Sequence, residues 1–282
     1  MIPITDTHQH LVYPDKFPYS WTDGIPALQG KAFRLDDYEK LSTGTGIDRT
    51  IFMETSPDDP HHFDEASWVY ELAAQPGSRI AGVIASARPE EPEGFAAMLE
   101  KLAHPKLVGI RRILHVVPDE MSSTPHFVSN VRQLANHGLT FDMCFLARQL
   151  PLAKALAQQC ENVQFVLDHC GVPDVTGQAL DPWRDDIRAL AALPNVACKI
   201  SGVMAYAAPE QANAAAVRPF VEHCIESFGW DRVVWGSDWP VCNMTTCLAD
   251  WVAVSREIVA GCSHEEQEKL FHRNASRIYG LR

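Results

Sequence analysis

Asp6, His8 and His10, within the stretch ITDTHQHL, set two imidazoles two residues apart just behind an acid. Histidines at i and i+2 share one face of an extended strand, so both can be turned on the same target. Imidazole can move a proton near neutral pH, polarise a carbonyl or hold a metal ion. A pair alone proves little, and its meaning depends on what else the fold delivers to the same place. Polar residues recur at the ends of later apolar runs: Glu54, Arg111 and Arg112, Asp142, Asp168 and His169, Lys199, and Asp238. A lone histidine at such a position is more often a hydrogen-bonded structural residue than a ligand. Three of them, His8, His10 and His169, together with Asp238, favour a functional centre. Glu54, Asp142 and Lys199 have structural readings at least as good: a loop cap, a brace at the mouth and an ion pair.

The elements that must position these groups follow from the order of patterns. Eight short apolar, β-branched runs recur: 2–8, 49–55, 79–86, 106–114, 139–145, 163–169, 195–201 and 232–238. Between them lie segments such as DEASWVYELAAQ, PHFVSNVRQLANHG and DPWRDDIRALAALP, with apolar positions three and four apart. Alternating strands and helices imply parallel strands joined by right-handed crossovers, and eight such units close into a (β/α)8 TIM barrel. An open doubly wound sheet is the competitor, but no GxGxxG or P-loop glycine fingerprint follows any strand. The expectation is one barrel domain over residues 1–282, with its active site at the C-terminal ends of the strands.

Composition narrows the function classes. A formal net charge of −12 without clustered Lys or Arg argues against nucleic-acid and anionic-membrane partners. No stretch approaches the roughly 18 apolar residues of a membrane span, and the opening residues lack a signal-peptide pattern. The eight cysteines show no CxxC spacing and read as reduced core residues. A cytoplasmic enzyme is the expectation.

The motifs DTHQH, LDHCG, KISG, WGSDWP and NASRIYGL, in that order from Ile4 to Leu281, together resemble the amidohydrolase superfamily. Within it, the chain resembles the branch of sugar-lactone and 2-pyrone-4,6-dicarboxylate lactonases. The resemblance implies a (β/α)8 fold, hydrolysis at an electrophilic carbonyl, and catalytic roles for His8, His10, His169 and Asp238. Members with two zinc ions present a Lys or Glu on strand four and a His on strand five. Here Arg111 or Arg112 and the run FDMC stand instead, which argues against a binuclear site. The expectation is either no required metal, as in some members of the lactonase branch, or one zinc held by His8, His10 and Asp238 with His169 or Glu54.

These residues suggest opening of a small polar lactone, either a sugar aldonolactone or a dicarboxylate lactone. Asp238 would deprotonate water, while the three histidines polarise the carbonyl directly or through one metal ion. Arg111 or Arg112 would pair with a substrate carboxylate or hydroxyls, with its neighbour facing the helices. The aromatic, Pro-rich segment 11–33 reads as a lid, with Tyr19 and Trp21, and also Trp239 beside Asp238, stacking on the substrate ring. Two alternatives share these residues: a zinc-dependent amidohydrolase or nonhydrolytic decarboxylase, and a non-catalytic small-ligand binding protein.

Overall fold

A computed structural model describes residues 1–281. Eight strands run β1 (Ile4–Gln9), β2 (Ile47–Met53), β3 (Ile80–Ser86), β4 (Leu107–Ile113), β5 (Thr140–Cys144), β6 (Phe165–Leu167), β7 (Val196–Ile200) and β8 (Val233–Trp235). Each pairs in parallel with the next, in the order β1 to β8. Helices α1 (Leu35–Ser42), α2 (His62–Ala73), α3 (Phe95–Leu102), α4 (Pro125–His137), α5 (Leu150–Gln159), α6 (Trp183–Ala191), α7 (Ala214–Phe228) and α8 (Leu248–Ile258) form the outer layer. This is the (β/α)8 barrel that the alternating pattern predicts.

Local chemistry sets the element ends. Thr124 caps α4 by accepting the Phe127 N–H, Pro125 opens the first turn, and Gly138 ends the helix at φ 64°. β6 and β8 are only three residues long, shorter than their apolar runs suggest. The chain leaves the extended region just beyond them: His169 and Cys170 have φ near 54° and Asp238 has φ 56°. His169 and Asp238 line the cavity at the barrel mouth, whereas Cys170 turns back toward Cys198 and Cys224.

Two layers of apolar contact hold the barrel. A large core joins strands to helices, whereas Ile51, Met53, Ile84, Val108, Val166, Ala197 and Val234 form a second core with Ala275, Ile278 and Tyr279. The last three belong to the NASRIYGL motif and close the barrel floor.

The seam between β1 and β8 answers why an acid precedes the histidine pair. Asp6 Oδ1 accepts from the backbone N–H of His8 (3.0 Å) and of Ser237 (2.7 Å), and Oδ2 accepts from the Tyr38 hydroxyl (2.6 Å). Asp238 N–H donates to the His8 carbonyl, and His10 N–H to the Trp239 carbonyl. Gly236 permits the approach, since a Cβ there would lie 2.6 Å from His8 Cβ. Asp6 therefore draws the first strand onto the last.

The cysteine expectation needs one amendment. All eight are free, but Cys247 is exposed and Cys262 half-buried, so only six belong to the core. No helix among the described residues is long and apolar enough to cross a membrane.

Candidate active site

His8, His10 and Asp238 meet at the C-terminal end of the seam. His8 Nε2 lies 3.1 Å from His10 Nε2 and 3.6 Å from Asp238 Oδ1, and His10 Nε2 lies 3.4 Å from the same oxygen. His10 Nδ1 is 3.0 Å from the Met53 carbonyl, which can only accept, so Nδ1 carries the proton and Nε2 offers a lone pair. Burial, reinforced by Arg111, brings the His10 pKa down to about 3, so the ring is neutral at ordinary pH. His10 therefore cannot donate to a carbonyl oxygen, which corrects the expectation of direct polarisation from this ring.

Three side-chain atoms converge here, and Arg111 Nη1, 3.3 Å from His8 Nε2, already brings a positive charge to them. The donor set fits one metal ion: zinc bonds of about 2.0–2.1 Å place tetrahedral ligands about 3.3 Å apart. The fourth ligand considered from sequence does not fit. Glu54 gives Oε1 to Arg111 Nε (2.7 Å) and Oε2 to the Ser56 N–H (2.9 Å), so both its oxygens are taken. His169 Nδ1 is engaged by the Ser201 hydroxyl at 2.9 Å and lies 3.9 Å from Asp238 Oδ2.

Beneath this centre lies a buried charge network. Lys199 Nζ sits 2.6 Å from Asp142 Oδ2, 3.0 Å from Asp168 Oδ1 and 3.2 Å from His8 Nδ1, all without exposure. Burial opposes charge on Lys199, but Asp142 and Asp168 outweigh it and raise its pKa. Burial likewise opposes charge on Asp168, yet Lys199 and His8 hold it well below the usual carboxylate range. Asp142 also accepts from Tyr279 (2.8 Å), which ties the network to the barrel floor. Burial and Lys199 lower the His8 pKa far below its ordinary value, leaving a neutral ring.

Asp238 differs from these paired carboxylates. It is 1% exposed, its Oδ2 has no hydrogen-bond partner among the described residues, and burial raises its pKa to about 6. It faces a cavity of about 490 Å³, shared with His10, Arg111, Cys144, His169 and Tyr206. Trp21, Ser20 and Ile25 form part of its wall. Segment 11–33 thus reaches across the mouth, its ends tied by the Val12–Phe33 backbone pair and Trp21 anchored through Nε1 to the Thr55 carbonyl (2.8 Å).

Three expected substrate contacts are corrected. Arg112 points outward and pairs with Glu90 at 2.6 Å, as strand alternation demands of a neighbour of the inward Arg111. Tyr19 is buried with its hydroxyl on Glu65 (3.4 Å), outside the cavity wall. Trp239 is 1% exposed and packs edge-on against Phe33 and Tyr38, on the side away from the cavity that Asp238 lines. Sequence reasoning noted Asp6 beside the histidine pair and Ser201 and Gly202 within KISG but gave none of them a role. A small residue after a strand was the only available signal for Gly202.

Gly202 has φ 62°, and a Cβ there would lie 2.5 Å from His169 Nδ1 and 2.8 Å from Asp238 Oδ2. Gly202→Ala should therefore push these groups apart. We expect turnover to fall by about 10- to 100-fold while circular dichroism stays native. Wild-type turnover in that variant would show that the spacing is not critical.

An eight-unit barrel with imidazole and carboxylate groups gathered at its C-terminal mouth defines a (β/α)8 enzyme scaffold with a hydrolytic-type centre. The chain belongs to the amidohydrolase family, whose model matches residues 5–281. It is 27% identical to an L-fucono-1,5-lactonase of Burkholderia ambifaria, over 98% of this chain and 95% of that protein. Among solved structures, an amidohydrolase from Burkholderia multivorans with bound zinc superposes with a TM-score of 0.90 at 25% identity, covering 99% of this chain and 100% of the other. A putative 2-pyrone-4,6-dicarboxylic acid hydrolase from Pseudomonas putida shares the fold, with a TM-score of 0.76 at 19% identity, covering 99% and 98%.

Proposed function

We propose that the protein hydrolyses a neutral, sugar-derived lactone, with Asp238 as general base. The observation that carries this reading is the unpartnered, desolvated Asp238 carboxylate beside neutral imidazoles in a cavity sized for one small ring. The lactonase relatives support the same reaction class.

Water held between His10 Nε2 and Asp238 gives its proton to the carboxylate as its oxygen attacks the lactone carbonyl carbon. The carbonyl electron pair moves onto oxygen beside His169, and the Arg111 guanidinium, whose donors are held by Glu54 and His8, adds only its positive field. Glu54 keeps Arg111 charged even though burial opposes it. His169 is neutral because burial lowers its pKa. The Ser201 hydroxyl is assigned as donor to Nδ1, which puts the His169 proton on Nε2, where it can donate to the oxyanion. The tetrahedral adduct collapses, the ring C–O bond breaks, and Asp238 returns its proton to the alkoxide. The product is the open-chain hydroxy acid. One divalent ion on His8, His10 and Asp238, when bound, would supply Lewis-acid polarisation and a more acidic water.

Charge selects a neutral substrate over a dicarboxylate. Both arginines at the cavity are already committed: Arg111 to Glu54, and Arg88 to Asp59 (2.9 Å) and Ser86 (2.8 Å). Asp58, which pairs with no cation among the described residues, adds negative charge to the wall. A substrate carboxylate would find no free counter-ion there, whereas carboxylates and hydroxyls suit sugar hydroxyl groups.

A panel of aldonolactones and pyrone dicarboxylates, followed by acid release with and without chelator, tests this. We expect turnover of neutral aldonolactones and none of the dicarboxylates, and the opposite preference would overturn the proposal. The pH profile should follow Asp238. Burial raises its pKa, so the base is lost as pH falls through about 6, and kcat should drop about tenfold per unit below that. An acid limb near the ordinary aspartate value would remove Asp238 from the role.

A further inference from the structure

Behind the turn that carries His169, three thiols meet. Cys170 lies in that turn, Cys198 on β7 and Cys224 on α7, and their sulfurs all lie within 4.8 Å of one another. All three are free and fully buried. Cys198 alternates with the inward Lys199 and so faces the helix layer, away from the cavity. The lactone chemistry uses none of them. Cys170 holds φ 53°, a conformation rare for side-chain-bearing residues, and its sulfur reaches the Lys199 carbonyl at 3.8 Å. Burial pushes the Cys170 thiol up, but hydrogen bonds from Cys198 and Cys224 outweigh it and bring it down to about 5. The three sulfurs thus form one contiguous buried group.

We propose that Cys170, Cys198 and Cys224 form a binding site for a trivalent thiophilic centre of the arsenite type, held as a neutral tris-thiolate. The donor set is all sulfur, with no carboxylate or imidazole in the group, and such sets select soft centres. Charge then decides among them. Three thiolates around a monovalent or divalent ion would leave net negative charge in an apolar layer, which is strongly disfavoured. A trivalent centre leaves none. Arsenous acid and three thiols exchange without redox: three As–O and three S–H bonds break, three As–S bonds form, and three waters leave. Because Cys170 follows His169 directly, occupancy fixes the turn that positions the imidazole and slows turnover.

The test is titration of the reduced full-length protein with arsenite, read by near-ultraviolet sulfur–arsenic absorption and by native mass. Wild type should take up one arsenic per chain with loss of three waters. Cys198→Ala and Cys224→Ala should each bind about tenfold or more weakly, and a Cys247→Ser/Cys262→Ser variant should bind like wild type. Cadmium should bind the cluster less tightly than arsenite. Absence of uptake overturns the site, as does uptake unchanged in the two alanine variants or lost in the surface variant. Tighter binding of cadmium overturns the charge argument that names the ligand. Circular dichroism confirms that the alanine variants are folded, and turnover of the arsenic-loaded protein on its lactone tests the coupling separately.

Discussion

Asp238→Asn should lower kcat by about three orders of magnitude or more while leaving KM within a few fold. The amide keeps the shape and the burial of the side chain but cannot take a proton from water at any working pH. Its neighbours make the loss specific. His8 and His10 are neutral, and His10 Nε2 is already a lone-pair atom, yet neither imidazole faces the cavity with a free carboxylate's basicity. Steady-state rates of the folded variant on the aldonolactone that wild type prefers supply the check. Near-normal kcat would transfer the base to another group.

The second large effect falls on stability. Lys199→Met should destabilise the fold by about 3–5 kcal/mol, because it leaves Asp142 and Asp168 buried without their shared cation. The urea midpoint of the variant measures this. Adding Asp142→Asn to the same chain should recover part of the loss, since one of the stranded charges is removed. A midpoint unchanged by Lys199→Met would mean that the network contributes nothing. The acid side has a defined sign. The Asp168 pKa is depressed in the fold by Lys199 and His8 against burial, so its contribution is present above the ordinary carboxylate range and is lost as pH falls below it.

Much of this site was legible from sequence because two periodicities carry it. The i, i+2 spacing of His8 and His10 fixes a shared face, and the same rule separates Arg111 from Arg112. Eight apolar runs alternating with helical segments identified the barrel, and with it the mouth toward which His169 and Asp238 are turned. What resisted reading depends on left-handed backbone at non-glycine residues. His169, Cys170 and Asp238 all adopt it, and although His and Asp are enriched there, a single sequence does not say which of them does so. Trp239, expected in the mouth, packs in the core instead, as the neighbour of an inward side chain does. Pairing across long distance was equally hidden: Tyr19 with Glu65, Glu54 with Arg111, and Asp6 with the Ser237 N–H are set by tertiary contacts. Lys199 was read as an ion-pair partner, but its two carboxylates could not be assigned from one strand.

The seam between β1 and β8 has a consequence for how the protein is made. Asp6 and Ser237, which it joins, are 231 positions apart, and the histidines and Asp238 sit on either side of it. A ribosome delivers the histidines first and their aspartate only after seven further strands have been synthesised. The contacts that join the two sides are among those of greatest sequence separation, the kind whose loop-closure cost slows folding. The seam can therefore close only once the last strand has been made, whatever order the other strands take.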